Sequence, residues 1–136
     1  MQAIVDSSAL VAAVDVRGPR HDAVSAVLTR GDLTLIVPAM VVAEAAYLIE
    51  KFLGAVTEAR FLANMVDFEV EMPPREEWVR IAELVHQYRD FPLGGTDASI
   101  VALAERLNTD LIITLDRRHF AAVRPRHVST FRILPE

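Results

Sequence analysis

Four carboxylates stand where a folded chain rarely tolerates charge. Asp6 ends the first apolar run, Ala3-Ile4-Val5, and Asp116 closes Leu111-Ile112-Ile113-Thr114-Leu115. Glu44 interrupts Met40-Val41-Val42-Ala43-Glu44-Ala45-Ala46, and Asp97 opens Asp97-Ala98-Ser99-Ile100-Val101-Ala102. A carboxylate taken out of water is costly unless its charge is compensated. For converging acids the least costly compensation is a hard divalent cation. Oxygen-only ligands select Mg2+ or Mn2+. Such an ion activates water and offsets charge on a phosphate being cleaved, alone or as a pair about 4 Å apart. Each acid also has an ordinary reading. Asp6 suits a turn or a helix cap, Asp97 a helix N-terminus where the dipole favours negative charge, and Asp116 the cap of a short helix over 117–123. Glu44, amid apolar helix positions, is the hardest to explain that way.

The elements that must bring these acids together follow from the pattern of the chain. Residues 2–6 predict a buried strand, with Ser7 or Ser8 capping a helix to about Val14. A helix over 21–30 stops at Gly31, and a strand over 33–37 stops at Pro38. Helices are expected over 39–52, with Gly54 as the stop, and over 57–67. Phe68 to Glu71 predicts a short strand. The spacing of Trp78, Ile81, Ala82 and Val85 predicts a helix over 75–88. Thr96 is expected to cap a helix over 97–107, and strands follow at 111–115 and 131–134. Apolar strands alternating with helices imply an α/β fold whose parallel sheet is covered on both faces. Sites in such folds form beyond the carboxyl ends of the strands. Asp6 and Asp116 lie at two of those ends, and Asp97 and Glu44 lie on helices able to flank them.

Composition narrows the function classes. A chain of 136 residues fits one domain, 1–136. With 52% hydrophobic residues and a mean hydropathy of +0.28 it has ample core material, and an excess that hints at further interfaces. No apolar stretch is long enough to span a membrane. No basic leader precedes the first apolar run, so a cytoplasmic protein is expected. The absence of cysteine excludes disulfides, thiolate catalysis and Cys-based zinc sites. There is no G-x-x-x-x-G-K phosphate loop, and Gly94-Gly95 is too short for a dinucleotide fingerprint. The net charge of −5 argues weakly against nucleic acid. Its distribution argues the other way: after Asp116 come Arg117, Arg118, His119, Arg124, Arg126, His127 and Arg132, with no acid before Glu136. A basic patch beside an acidic cluster can grip phosphates even on an acidic domain.

Four segments resemble one family. Ile4-Val5-Asp6-Ser7-Ser8-Ala9-Leu10 resembles the opening motif of PIN-domain proteins, and Val41-Val42-Ala43-Glu44 the second. Leu93-Gly94-Gly95-Thr96-Asp97-Ala98-Ser99-Ile100-Val101-Ala102-Leu103-Ala104 resembles the third, and Thr114-Leu115-Asp116-Arg117-Arg118-His119-Phe120 the fourth. In length and motif order the chain is similar to the VapC toxins of bacterial type II toxin–antitoxin pairs. The resemblance implies a PIN-like α/β/α sandwich around a central parallel sheet. It implies a Mg2+-dependent endoribonuclease, with Mn2+ as the substitute, that inhibits translation by cutting a structured RNA, either a tRNA or a ribosomal RNA loop. Asp6, Glu44, Asp97 and Asp116 become the catalytic acids, Asp6 and Asp97 the direct metal ligands, and the other two complete the pocket partly through water. A homodimer and a cognate antitoxin protein are the implied partners. Arg117 and Arg118 are expected to hold the RNA backbone, as a wager on charge and position. Apolar residues between 39 and 68, such as Val42, Tyr47, Leu48, Phe52, Phe61 and Met65, are expected to serve the core, the dimer or the antitoxin groove.

Two other function classes compete. A non-cleaving RNA-binding or scaffolding PIN module is opposed by the intact set of acids. A phosphatase acting on small monoesters is opposed by Ser7 and Ser8 after Asp6, where an aspartyl-phosphate enzyme needs a second Asp two residues on. Asp90 is an optional outer carboxylate, and Trp78, Phe61 and Phe68 read as core or interface.

Overall fold

The computed structural model describes residues 1–136. Five strands, β1 (Gln2–Val5), β2 (Thr34–Pro38), β3 (Glu69–Glu71), β4 (Leu111–Ile113) and β5 (Arg132–Leu134), form one sheet in the order β3-β2-β1-β4-β5. Every pairing is parallel. Ile4 on the central strand pairs with Ile36 on one side and Ile112 on the other. Ala3, Ile4 and Val5 are fully buried, as are Ile112 and Ile113. A strand covered on both faces reads as an unbroken apolar run, which is why these segments show no alternation.

Seven helices connect the strands: α1 (Ser7–Val14), α2 (His21–Leu28), α3 (Ala39–Leu53), α4 (Ala55–Asn64), α5 (Glu77–Gln87), α6 (Gly95–Leu107) and α7 (Arg117–Ala122). Right-handed crossovers put α1 to α4 on one face of the sheet and α5 to α7 on the other. Most of the packing divides the same way, α1 against α2 and α3, α3 against α4, and α5 against α6, with α3 also meeting α6. The core is a single cluster of 29 buried apolar residues. Within α6 every residue from Ala98 to Ala104 is buried, so this helix is enclosed all round.

The expected elements are present, with differences at their ends. Asp6, not Ser7 or Ser8, caps α1, its carboxylate accepting from the Ser7 amide. A carboxylate directly after a strand end already faces the free amides, so the serines join the first turn instead. Gly94 caps α6 and Thr96 lies inside it. α2 ends at Leu28, before the expected Gly31 stop. The helix expected to reach Asp67 ends at Asn64 and tightens into a 3-10 turn over Met65–Asp67. Gly54 does end α3, at φ +90°, a conformation that favours glycine. Trp78 lies exposed, outside the monomer core, whereas Phe61 is buried and Phe68 partly so. No helix is long and apolar enough to cross a membrane.

Candidate active site

The chain leaves β1 for one side of the sheet and later places β4 on the other, so the strand order reverses between them. Ligands of open α/β sheets bind outside the carboxyl ends of the strands at such a reversal. Asp6 directly follows β1, and its amide continues the ladder by donating to the Ile113 carbonyl at 2.9 Å. Asp116 follows β4 by three residues and caps α7, accepting from the His119 amide at 3.4 Å. The ordinary readings of Asp6 and Asp116 as caps are therefore also true. Capping fixes both carboxylates at the rim.

A set of short hydrogen bonds holds Asp6, which is 3% exposed. Its Oδ1 accepts from the Ser7 amide at 2.7 Å, and its Oδ2 from the Thr114 hydroxyl at 2.7 Å and the Ser8 hydroxyl at 3.1 Å. Thr114 Oγ1 in turn accepts from the Asp116 amide at 2.9 Å, and Ser8 Oγ from the Leu115 amide at 2.9 Å. Each hydroxyl thus spends its one proton on Asp6 and its lone pair on the β4–α7 turn. Ser7 Oγ donates to Glu44 Oε2 at 2.6 Å, drawing α3 to the same edge. From sequence, Ser7 and Ser8 are alternative caps of α1 and Thr114 is a residue of the strand before Asp116. The structure makes all three the scaffold of the acids.

Asp97 is placed differently. It lies in the first turn of α6, partly buried, and no protein amide or hydroxyl donates to it. Burial, and after it the charge of Asp6, push its carboxyl up to about 6 from the usual 3.8; His119 opposes the rise, and Glu44 and Asp116 add to it. The strained charge is therefore that of Asp97, whereas Asp6, the most buried acid, is compensated by the protein itself. His119 Nδ1 lies 2.7 Å from Asp116 Oδ2 and 3.0 Å from Asp97 Oδ2. Neither approach has hydrogen-bond geometry, so this buried nitrogen has no partner. From sequence, His119 is only a member of the basic run after Asp116. Only the α7 turn, which points it back from Asp116 toward α6, reveals its place.

The four acids thus share one edge in two pairs, Asp6 and Glu44 bridged by Ser7, and Asp97 and Asp116 on either side of the unpaired His119 Nδ1. They do not enclose a ready-made cage: no three His, Asp or Glu side chains surround one point closely enough to hold a metal. The donor set is nonetheless all carboxylate and hydroxyl oxygen, with an excess of negative charge and an orphaned nitrogen between two of its members. That chemistry suits Mg2+ or Mn2+, ions that keep several waters and use one or two carboxylates. Asp90 is exposed. Of the two expected backbone contacts, Arg117 Nη1 already donates to the Pro135 carbonyl at 2.9 Å, while Arg118 is exposed and lies over the Phe91 ring. An apolar groove of about 310 Å³ reaches the rim at Ser8 and Leu115 and is walled by Val11, Leu48 and Phe52.

Comparisons with known proteins agree with this architecture. Residues 3–124 match the model of the PIN domain. The chain is 37% identical over 134 residues to ribonuclease VapC26 of Mycobacterium tuberculosis, covering 97% of this chain and 99% of that one. Its fold is similar to that of VapC20 from the same organism, a sarcin-ricin loop cleaving toxin, with a TM-score of 0.82 at 16% identity over 93% of this chain and 98% of that one. It is also similar to a chain of VapBC2 from Rickettsia felis, bound to a DNA fragment from its promoter, with a TM-score of 0.71 at 16% identity over 99% and 100% of the two chains. A reversal-point cluster of four acids, the matching family model and a curated relative of equal length lead to one assignment: the chain belongs to the PIN-domain family, in its VapC branch.

Proposed function

We propose that this protein is a metal-dependent endoribonuclease and the toxin of a toxin–antitoxin pair, its 136 residues forming one PIN domain. The observation that carries the proposal is the convergence of Asp6, Glu44, Asp97 and Asp116 at the strand-order reversal, where burial and the neighbouring charges raise the Asp97 carboxyl to about 6. A fold spends stability on such a cluster where the charge is to be used, and perturbed acids at a cleft mark functional sites. Support for ribonuclease chemistry comes from the likeness to VapC26, and support for an antitoxin partner from the likeness to chains of toxin–antitoxin complexes.

Asp6 and Asp97 would hold Mg2+, with Mn2+ as the substitute, and Glu44 and Asp116 would complete the pocket through water. When bound, the cation would polarise the phosphate and make a coordinated water a stronger nucleophile. The remaining work falls to the chain. Ser7, Ser8 and Thr114 keep Asp6 in one orientation, and Ser7 aims Glu44 inward, where it can orient the attacking water and accept its proton. Arg118 is free to meet a phosphate, more so than the tethered Arg117. A structured RNA with an accessible loop, a tRNA or a ribosomal RNA, is the proposed substrate, because only unpaired segments expose both backbone and bases. The exposed Tyr47 and Phe52 on α3 would serve the antitoxin or a second copy in a homodimer.

Induced expression of wild type and of Asp97→Asn, followed by mapping of new RNA ends in arrested cells, tests this. Arrest by wild type alone, with a discrete new end in tRNA or ribosomal RNA, is expected. Equal arrest by both proteins would sink the proposal and favour a non-cleaving RNA-binding module.

A further inference from the structure

Phe91 stands beside the acidic edge, in the turn between α5 and α6. That turn is fastened on either side of it. The Phe91 amide donates to the Tyr88 carbonyl at 2.9 Å, and Leu93 is buried. The Tyr88 hydroxyl accepts from the Arg124 amide at 2.9 Å, tying the turn to the segment after α7. The ring itself remains partly exposed. It meets the His119 ring edge-on, with centroids 5.4 Å apart and planes at 82°. The exposed Arg118 guanidinium lies 5.8 Å from its centroid and has no carboxylate partner. The same His119 ring carries the nitrogen that lies between Asp97 and Asp116. An aromatic face and a planar cation are thus held together one side chain away from the acids.

Proteins that grip unpaired RNA use this combination, a π-face or a guanidinium plane for a base and a cation for the adjoining phosphate. We infer that Phe91 and Arg118 form a stacking wall for a nucleobase next to the scissile phosphate, so that binding depends on the base and not only on the sugar–phosphate chain. The inference rests on the ribonuclease reading and adds to it a substrate-positioning residue. The competing role for Phe91 is to prop His119 by packing alone. Leucine would keep most of that packing and lose the π-face, whereas tryptophan would enlarge the face.

The test is fluorescence anisotropy of the full chain in Mg2+-free buffer, so that nothing is cut. The probes are a short single-stranded RNA of mixed sequence and its abasic counterpart, with the same phosphates and no bases. Wild type should prefer the base-bearing RNA by about tenfold, the worth of one stacked base. Phe91→Leu should lose most of that preference with its affinity for the abasic strand unchanged, and Phe91→Trp should keep it. Arg118→Lys should lose part of the preference, since lysine keeps the charge and not the plane. An undiminished preference in Phe91→Leu, or an equal loss on both RNAs, overturns the wall. A wild type that makes new RNA ends in cells yet shows no base preference also overturns it, and leaves the ribonuclease reading standing. A wild type that neither binds these RNAs nor makes new ends overturns both.

Discussion

Ser7 Oγ lies 2.6 Å from Glu44 Oε2, a hydrogen bond between residues 37 positions apart. It fastens the first turn of α1 to α3 and decides which way Glu44 faces. Ser7→Ala leaves that partly buried carboxylate without its donor. A loss of about 1–2 kcal/mol is expected, read as a lowered urea midpoint with an unchanged slope. RNA cleavage should fall more steeply than stability, because Glu44 would no longer be aimed.

Asp97→Asn should stabilise the metal-free protein at neutral pH. The folded carboxyl titrates at about 6 and the unfolded one near 3.8. The folded state therefore holds the proton more tightly, and its relative stability is intact below pH 3.8 and lost as the pH rises through 6. Asparagine removes that loss, worth up to about 2–3 kcal/mol before solvent screening. Melting temperatures of the two proteins should differ at pH 7.5 and converge at pH 4. The same variant should be inactive, so that stability and activity move in opposite directions.

Millimolar Mg2+ should raise the melting temperature of wild type at pH 7.5 and less at pH 5, where a proton on Asp97 competes with the cation. Chelation should abolish cleavage, and added Mg2+ or Mn2+ restore it. A thermal shift of equal size in Asp97→Asn would remove Asp97 from the set of ligands.

Away from the site, Arg80 grips Glu105 with two bonds, Nε to Oε1 at 2.7 Å and Nη2 to Oε2 at 2.8 Å, and the Arg126 amide donates to the same carboxylate at 2.8 Å. Burial alone would raise the Glu105 carboxyl, but the bonds from Arg80 and Arg126 outweigh it and hold it below the usual range. Its stabilisation is therefore present above the ordinary 4.5 and lost on further acidification. Glu105→Gln should cost about 2 kcal/mol at pH 7 and little in strong acid. Cleavage per folded molecule should be unchanged, which makes this variant a control for the site mutations.

Much of the site was legible in the sequence, for a physical reason. Asp6 and Asp116 stand at abrupt ends of apolar runs, and Glu44 breaks the apolar face of a helix, so charge contrast alone exposes them. What escaped was direction. Whether Ser8 points into solvent or between Asp6 and Leu115 depends on the pairing of β1 with β4, which no local pattern records. His119 and Phe91 become neighbours only because α7 and the turn after α5 pack at one edge. The cap of α6 was misplaced because Thr96 has the better capping side chain, whereas the turn through Leu93 sets the helix start at Gly95. Trp78 was read as core or interface by its type, and its position on α5 turns it outward, away from the core.

The pairing of Ile4 with Ile112 carries one more consequence. β1 is the centre of the sheet, and its neighbour β4 is made only after β2, β3 and six helices. Until that neighbour docks, Asp6 lacks the Thr114 hydroxyl and the acid cluster lacks Asp116. Topology therefore acts as a timer on the chemistry: until β4 is made and docked beside β1, the acids share no assembled edge.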